Sequence, residues 1–142
     1  MPATETELHQ IGEVAERVGL SLRTVRYYEE EGLVRPAKRS DGGFRLYRQS
    51  EIARLELIKE MKPLGFTVQE MRQLLAARDS LERGEPGSAK HDKALDRLAA
   101  YVAETKERTE ELRRKLDAAD VFSRTLAGEL RRHRRAASPA RS

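Results

Sequence analysis

Ser21–Tyr28 reads SLRTVRYY, and EEEGLV carries it into the basic stretch Arg35–Tyr47, RPAKRSDGGFRLY. Those two pieces decide the fold. Ser21 is a good N-cap, so a helix starts behind it. Leu22, Val25 and Tyr28 recur at helical spacing and are expected to pack inward. Arg23 and Tyr27, four apart, point the other way, with Thr24 and Arg26 beside them. Gly32 is placed to close the helix. Upstream, Ile11, Val14, Ala15 and Val18 describe a shorter amphipathic helix, and Gly19 permits a tight turn between the two. Leu20 and Val25 are spaced as a hydrophobic staple across that turn. The pair reads as a helix-turn-helix.

The basic stretch reads as a hairpin. Asp41-Gly42-Gly43 is turn chemistry, because glycine tolerates the positive φ such loops need. After it Phe44 and Leu46 alternate with Arg45 and Tyr47, the period of a half-buried strand. We expect Phe44 and Leu46 to face the core, leaving Arg45 and Tyr47 outside, where they can reach phosphate. Between Arg35 and Arg48 five basic residues stand against Asp41 alone. A solvated charged loop is the plainer reading, but the outward face of the preceding helix supplies a matching surface.

Placement matters more here than net charge. The 142 residues carry 28 Lys and Arg against 24 Asp and Glu, a formal +4. Residues 1–78 account for +1, residues 79–123 for −2 and residues 124–142 for +5, so the excess lies in the tail. Cysteine and tryptophan are absent, and no apolar run approaches a membrane span. MPATETELHQ lacks the basic-then-apolar order of a signal peptide, so a cytoplasmic protein is expected. No nucleophile–base set, phosphate-cradling glycine loop or paired carboxylate constellation is visible, so no enzyme is expected.

Further along, Ile52, Leu55, Ile58 and Met61 mark a third helix, ending near Pro63. Thr67 with Glu70 makes a capping box and Phe66 with Met71 a staple, so a fourth helix starts there with Met71, Leu74 and Leu75 inward. Asp79–Lys90, DSLERGEPGSAK, reads as a linker. Beyond it lies a long helix with steps of three and four. One set of positions holds Leu95, Val102, Thr109, Leu116, Ser123 and Leu130, the other Leu98, Thr105, Leu112, Ala119 and Leu126. Such a seam means a coiled coil. The threonines and Ser123 weaken it, and the pattern leaves open whether the helix continues past Asp117-Ala118-Ala119-Asp120. A single apolar stripe must be buried, against a second copy or against the chain's own head.

The ordered set formed by Ser21–Tyr28, Gly32-Leu33, Pro36, Gly43–Tyr47, Leu64–Thr67 and Glu70-Met71 resembles the MerR family of bacterial transcription regulators, over about residues 10 to 77. The resemblance implies a mainly α protein: a winged helix-turn-helix DNA-binding domain with a small β-hairpin wing, then a long antiparallel coiled-coil dimerisation helix. The expected organisation is a flexible N-terminus (1–9), the DNA-binding domain (10–77), a linker (78–90), the dimerisation helix (91–130) and a basic disordered tail (131–142). Leu95, Leu98, Val102, Leu112 and Leu116 are the expected dimer contacts.

Roles follow from position. Ser21, the cap, is an expected DNA contact together with Arg23 and Thr24, which lie at the end of the recognition helix that approaches base edges. Arg26, Tyr27, Arg39, Arg45 and Tyr47 are assigned to phosphate, and the family suggests the same for Lys62 beside a second wing. The implied partners are double-stranded promoter DNA, a second copy of the chain and RNA polymerase at the regulated promoter. The family's dimers sit between promoter elements set too far apart and distort the DNA to realign them. Without cysteine, thiolate metal sensing and cysteine-held clusters are excluded. His9, His91 and His133 are scattered, so no metal or cofactor is expected, and the effector stays unassigned or absent. Two other readings stand beside this one: an architectural or excisionase-like winged-helix DNA binder without an effector, and a coiled-coil interaction protein.

Overall fold

The computed structural model describes residues 7–138. The chain divides into two compact units, the first reaching Tyr101 and the second starting at Val102.

In the first unit the elements run β1 (His9–Gln10), α1 (Ile11–Val18), α2 (Leu22–Glu30), β2 (Lys38–Arg39), β3 (Arg45–Tyr47), α3 (Gln49–Met61), a 3-10 turn (Lys62–Leu64), α4 (Val68–Arg83) and the start of α5 (Ala89–Ala137). The three strands form an antiparallel sheet in the order β1-β3-β2, with His9 opposite Tyr47 and Arg39 opposite Arg45.

Local chemistry places the ends. Gly19 sits at φ 79°, and its N–H and that of Leu20 both return to the Ala15 carbonyl, closing α1 into the turn. Ser21 Oγ accepts the Thr24 N–H at 3.0 Å to open α2. Gly32, at φ 77°, lets Leu33 N–H reach the Tyr28 carbonyl and close it. Thr67 and Glu70 form the reciprocal capping box of α4.

One core joins these elements. Val14, Val18, Val25, Tyr28, Leu33, Ile52, Leu55, Ile58, Met71 and Leu75 are buried together. Each such side chain contributes roughly 1.5–3 kcal/mol relative to exposure. Long cations tie the helix ends across it. Lys59 Nζ donates to the Val18 carbonyl at 2.6 Å, Arg54 Nε to the Leu33 carbonyl at 2.8 Å and Arg72 Nη2 to the Glu31 carbonyl at 2.8 Å. The Val18 and Glu31 carbonyls are ones that α1 and α2 themselves leave without a partner.

Several boundaries differ from the expectations. His9 is buried in β1, with Nδ1 3.0 Å from Glu13, instead of belonging to a flexible end. α4 carries on to Arg83, so Gly84–Ser88 is all that separates it from α5. Ser88 opens α5 by accepting the His91 N–H at 3.2 Å. α5 is continuous through Asp117–Asp120 and stays helical to Ala137, where a disordered tail was expected. Residues 139–142 of that tail lie outside the described residues. Leu22, expected inside, is 41 % exposed.

At its start α5 buries a face that the seam does not include. Ala94 and Tyr101 are buried, Leu98 is half-buried, and Leu95 and Val102 are exposed. The Tyr101 ring packs on Phe66 and its hydroxyl donates to the Glu70 carbonyl at 2.9 Å. Packing on the chain's own head, the alternative to pairing with a second copy, therefore occurs for these first turns, through a stripe other than the seam.

The second unit is the remainder of α5. Arg108–Glu104, Arg113–Glu110 and Lys115–Glu111 pair along its surface. Leu112, Leu116, Phe122, Leu126 and Leu130 are all exposed.

Candidate DNA interface

α2 presents the surface that matters. Arg23, Arg26 and Tyr27 are exposed, and Thr24 is half-exposed. They are spaced by three and four, so they share one side of the helix while Val25 and Tyr28 anchor the other. The Ser21 and Thr24 hydroxyls lie 2.8 Å apart, so both belong first to the cap. No hydrogen bond found among the described residues engages the Arg23 or Arg26 side chains.

The wing differs from the sequence reading in one decisive way. Tyr47 is fully buried, and its hydroxyl donates to Glu29 Oε2 at 2.6 Å. Arg45 lies on the same side of β3 and its Nε donates to Glu29 Oε1 at 2.8 Å. Phe44, expected in the core, is 61 % exposed. The alternation was right and its direction reversed: period two sorts a strand's residues into two faces without saying which is inner. The inner site here accepts a tyrosine because Glu29 satisfies its hydroxyl. Burial and then the Glu29 hydrogen bond push the Tyr47 phenol well above its ordinary range. Tyr47 is thus no phosphate contact. Arg45, 27 % exposed and held by Glu29, stands as a tether between wing and recognition helix.

Glu29, which holds Arg45 and Tyr47, is the residue of this surface that the sequence does not reveal. In EEEGLV it looks like one of three solvated acids at a helix end, yet its side chain is only 14 % exposed. One signal was available: Glu29 is four residues beyond the buried Val25 and so sits on the edge of the inward face.

On β2 Lys38 and Arg39 are both exposed; Lys38 shares the face of Leu46 and Arg39 that of Arg45, with Arg39 Nη1 donating to the Gly43 carbonyl at 3.1 Å. Ser40 shapes the turn: its carbonyl accepts from Gly43 and its hydroxyl from the Phe44 N–H. Lys62 is exposed on the 3-10 turn that ends in Gly65. Helix face, hairpin and second turn all belong to the first unit. The arrangement can place a helix in a duplex groove with cations flanking it.

Residues 10–78 match the MerR HTH family of regulatory proteins, and residues 52–119 the MerR DNA-binding family. The chain is 39 % identical over 107 residues to the HTH-type transcriptional regulator HmrR of Rhizobium leguminosarum bv. viciae, covering 75 % of this chain and 80 % of that protein. The chain belongs to the MerR family. It is a DNA-binding transcription regulator. A second relative of the MerR chain is the HTH-type regulator ZntR of Escherichia coli K12, 33 % identical with 78 % and 80 % covered. Its fold is also that of HiNmlR, a MerR family regulator lacking the sensor domain and bound to promoter DNA. The TM-score there is 0.65 at 20 % identity, over 88 % of this chain and 92 % of that one. A Listeria monocytogenes MerR protein gives the same TM-score at 23 % identity, with 89 % and 92 % covered.

No helix among the described residues is long and apolar enough to cross a membrane. No group of three or more His, Asp or Glu side chains is set to hold a metal ion among them.

Proposed function

We propose that this MerR protein acts in the bacterial cytoplasm as a homodimer. It binds a two-fold symmetric operator between promoter elements, distorts the DNA there and so controls access of RNA polymerase. The observation that carries the reading is the exposed Arg23, Arg26 and Tyr27 face of α2, set beside a wing tethered by Glu29. Arg23 and Thr24 read base edges, where an arginine on guanine is the commonest specific contact. Arg26, Tyr27, Arg39 and Lys62 fix register on phosphate, and Lys38 joins them because it is exposed beside Arg39.

The dimer reading is supported by α5. Leu112, Leu116, Leu126 and Leu130 are exposed in a single chain, and a seam of that length needs a partner. Two heads at the ends of antiparallel helices match the two halves of a palindrome. A dimer that prefers distorted DNA shifts the cost of deformation between two promoter states, so it can repress and activate from one site.

Genomic fragments selected by the purified protein test the reading. A preferred fragment that takes up two chains, with affinity falling steeply as salt rises, is the expected outcome. Binding proportional to length, without a preferred sequence, would favour an architectural protein.

A further inference from the structure

We infer that Leu22 reads the C5-methyl group of a thymine in each half-site, an apolar contact beside the hydrogen bonds of Arg23. This role rests on the base-reading placement of α2 proposed above and deepens it, naming a further residue that sets sequence preference and the group it selects.

Leu22 is an apolar side chain left outside the core. It is the first residue of α2 and is 41 % exposed, while Val25 and Tyr28 of the same helix are buried. Residues 7–94 hold three exposed large apolar side chains, Leu22, Tyr27 and Phe44. Two are on the recognition helix, and the third stands at the turn of the wing, just before β3. Elsewhere in the head, α1, α3 and α4 leave no leucine, isoleucine or valine exposed. Exposed leucines scattered over a surface need no explanation, but here the exposure is confined to the elements that approach DNA.

Position on the helix decides what Leu22 meets. It adjoins Arg23 and lies four residues before the exposed Arg26, on the N-terminal turn that enters the groove. The hydroxyls around it are engaged already: Ser21 Oγ accepts the Thr24 N–H at 3.0 Å and lies 2.8 Å from the Thr24 hydroxyl. Leucine has no hydrogen-bonding atom, so the base edge that suits it is one that presents carbon. In the major groove thymine does so through its C5-methyl, whereas adenine, guanine and cytosine offer donors and acceptors. Leucine against that methyl removes apolar surface of both from water, and burying one methyl-sized group is worth about fourfold in affinity.

Uracil is thymine without this methyl, so the DNA can be altered while the protein is left intact. In the selected operator each thymine would be replaced singly by uracil, and the affinity of the full-length protein measured at one salt concentration. One thymine in each half-site should cost about fourfold on losing its methyl. Leu22→Ala, a surface substitution, should bind the thymine and uracil operators alike. An operator in which no thymine methyl matters would overturn this role for Leu22. So would a methyl whose loss costs Leu22→Ala as much as it costs the native protein, because another side chain or the stiffness of the DNA would then be responsible. Absence of any preferred fragment would instead overturn the reading of α2 as a base-reading helix, and the role of Leu22 with it.

Discussion

The Tyr47 hydroxyl donates to Glu29 at 2.6 Å, joining the buried strand of the wing to the last turn of the recognition helix. Arg45 takes the other carboxylate oxygen at 2.8 Å, so one acid holds both wing residues. The wing is thereby fixed against α2 before DNA arrives, and less ordering is left for binding to complete.

Glu29→Ala is expected to leave a buried hydroxyl and a partly buried guanidinium without their acceptor. The cost is about 1–3 kcal/mol of stability, read by urea unfolding. DNA affinity should fall for all sequences alike, since the wing is loosened and no base contact is lost. A variant of unchanged stability would show that the tether is not structural.

Alkaline unfolding should report the same contact. The Tyr47 phenol is raised in the folded state above its ordinary value of 10.0, chiefly by burial. The unfolded chain therefore loses that proton first as pH rises. The stabilisation is complete below about pH 10 and declines above it. Tyr47→Phe should make the stability curve flatter above pH 10 than that of the native protein. Parallel curves would mean that Tyr47 ionises equally in both states.

The two classes of DNA contact separate in their readouts. Arg23→Ala should lose about 1–3 kcal/mol at one base position and relax the preference there. Arg39→Ala should weaken binding to every sequence and reduce the salt slope by about 1. Exchange of these two patterns between the variants would reverse their assignments.

Leu112→Asp places a charge in the centre of the proposed helix pair. Light scattering should then give a monomer, and operator affinity should drop because half-sites are engaged separately. A variant that remains dimeric would remove α5 from the interface.

The parts of this fold that were legible in the sequence are those whose cause is local. The Ser21 cap, the Gly19 and Gly32 turns and the Thr67–Glu70 capping box each depend on residues within a few positions, and all stand as read. The inner face of β3 was not legible, because it depends on Glu29 arriving from another helix. β1 was missed for the same reason: two residues become a strand only when Tyr47 and Leu46 lie beside them. In α5 the heptads of leucine hid the stripe of Ala94 and Tyr101, which the head buries first. Of the proposed DNA contacts, the α2 face keeps its outward placement, whereas Tyr47 and Arg45 turn inward.

Footprinting of a selected genomic site with purified protein distinguishes a promoter-bound regulator from an architectural DNA binder. Protection with two-fold symmetry is expected, lying between promoter elements whose spacer is overlong, with distortion at its centre. Extended, asymmetric protection unrelated to any promoter would contradict it.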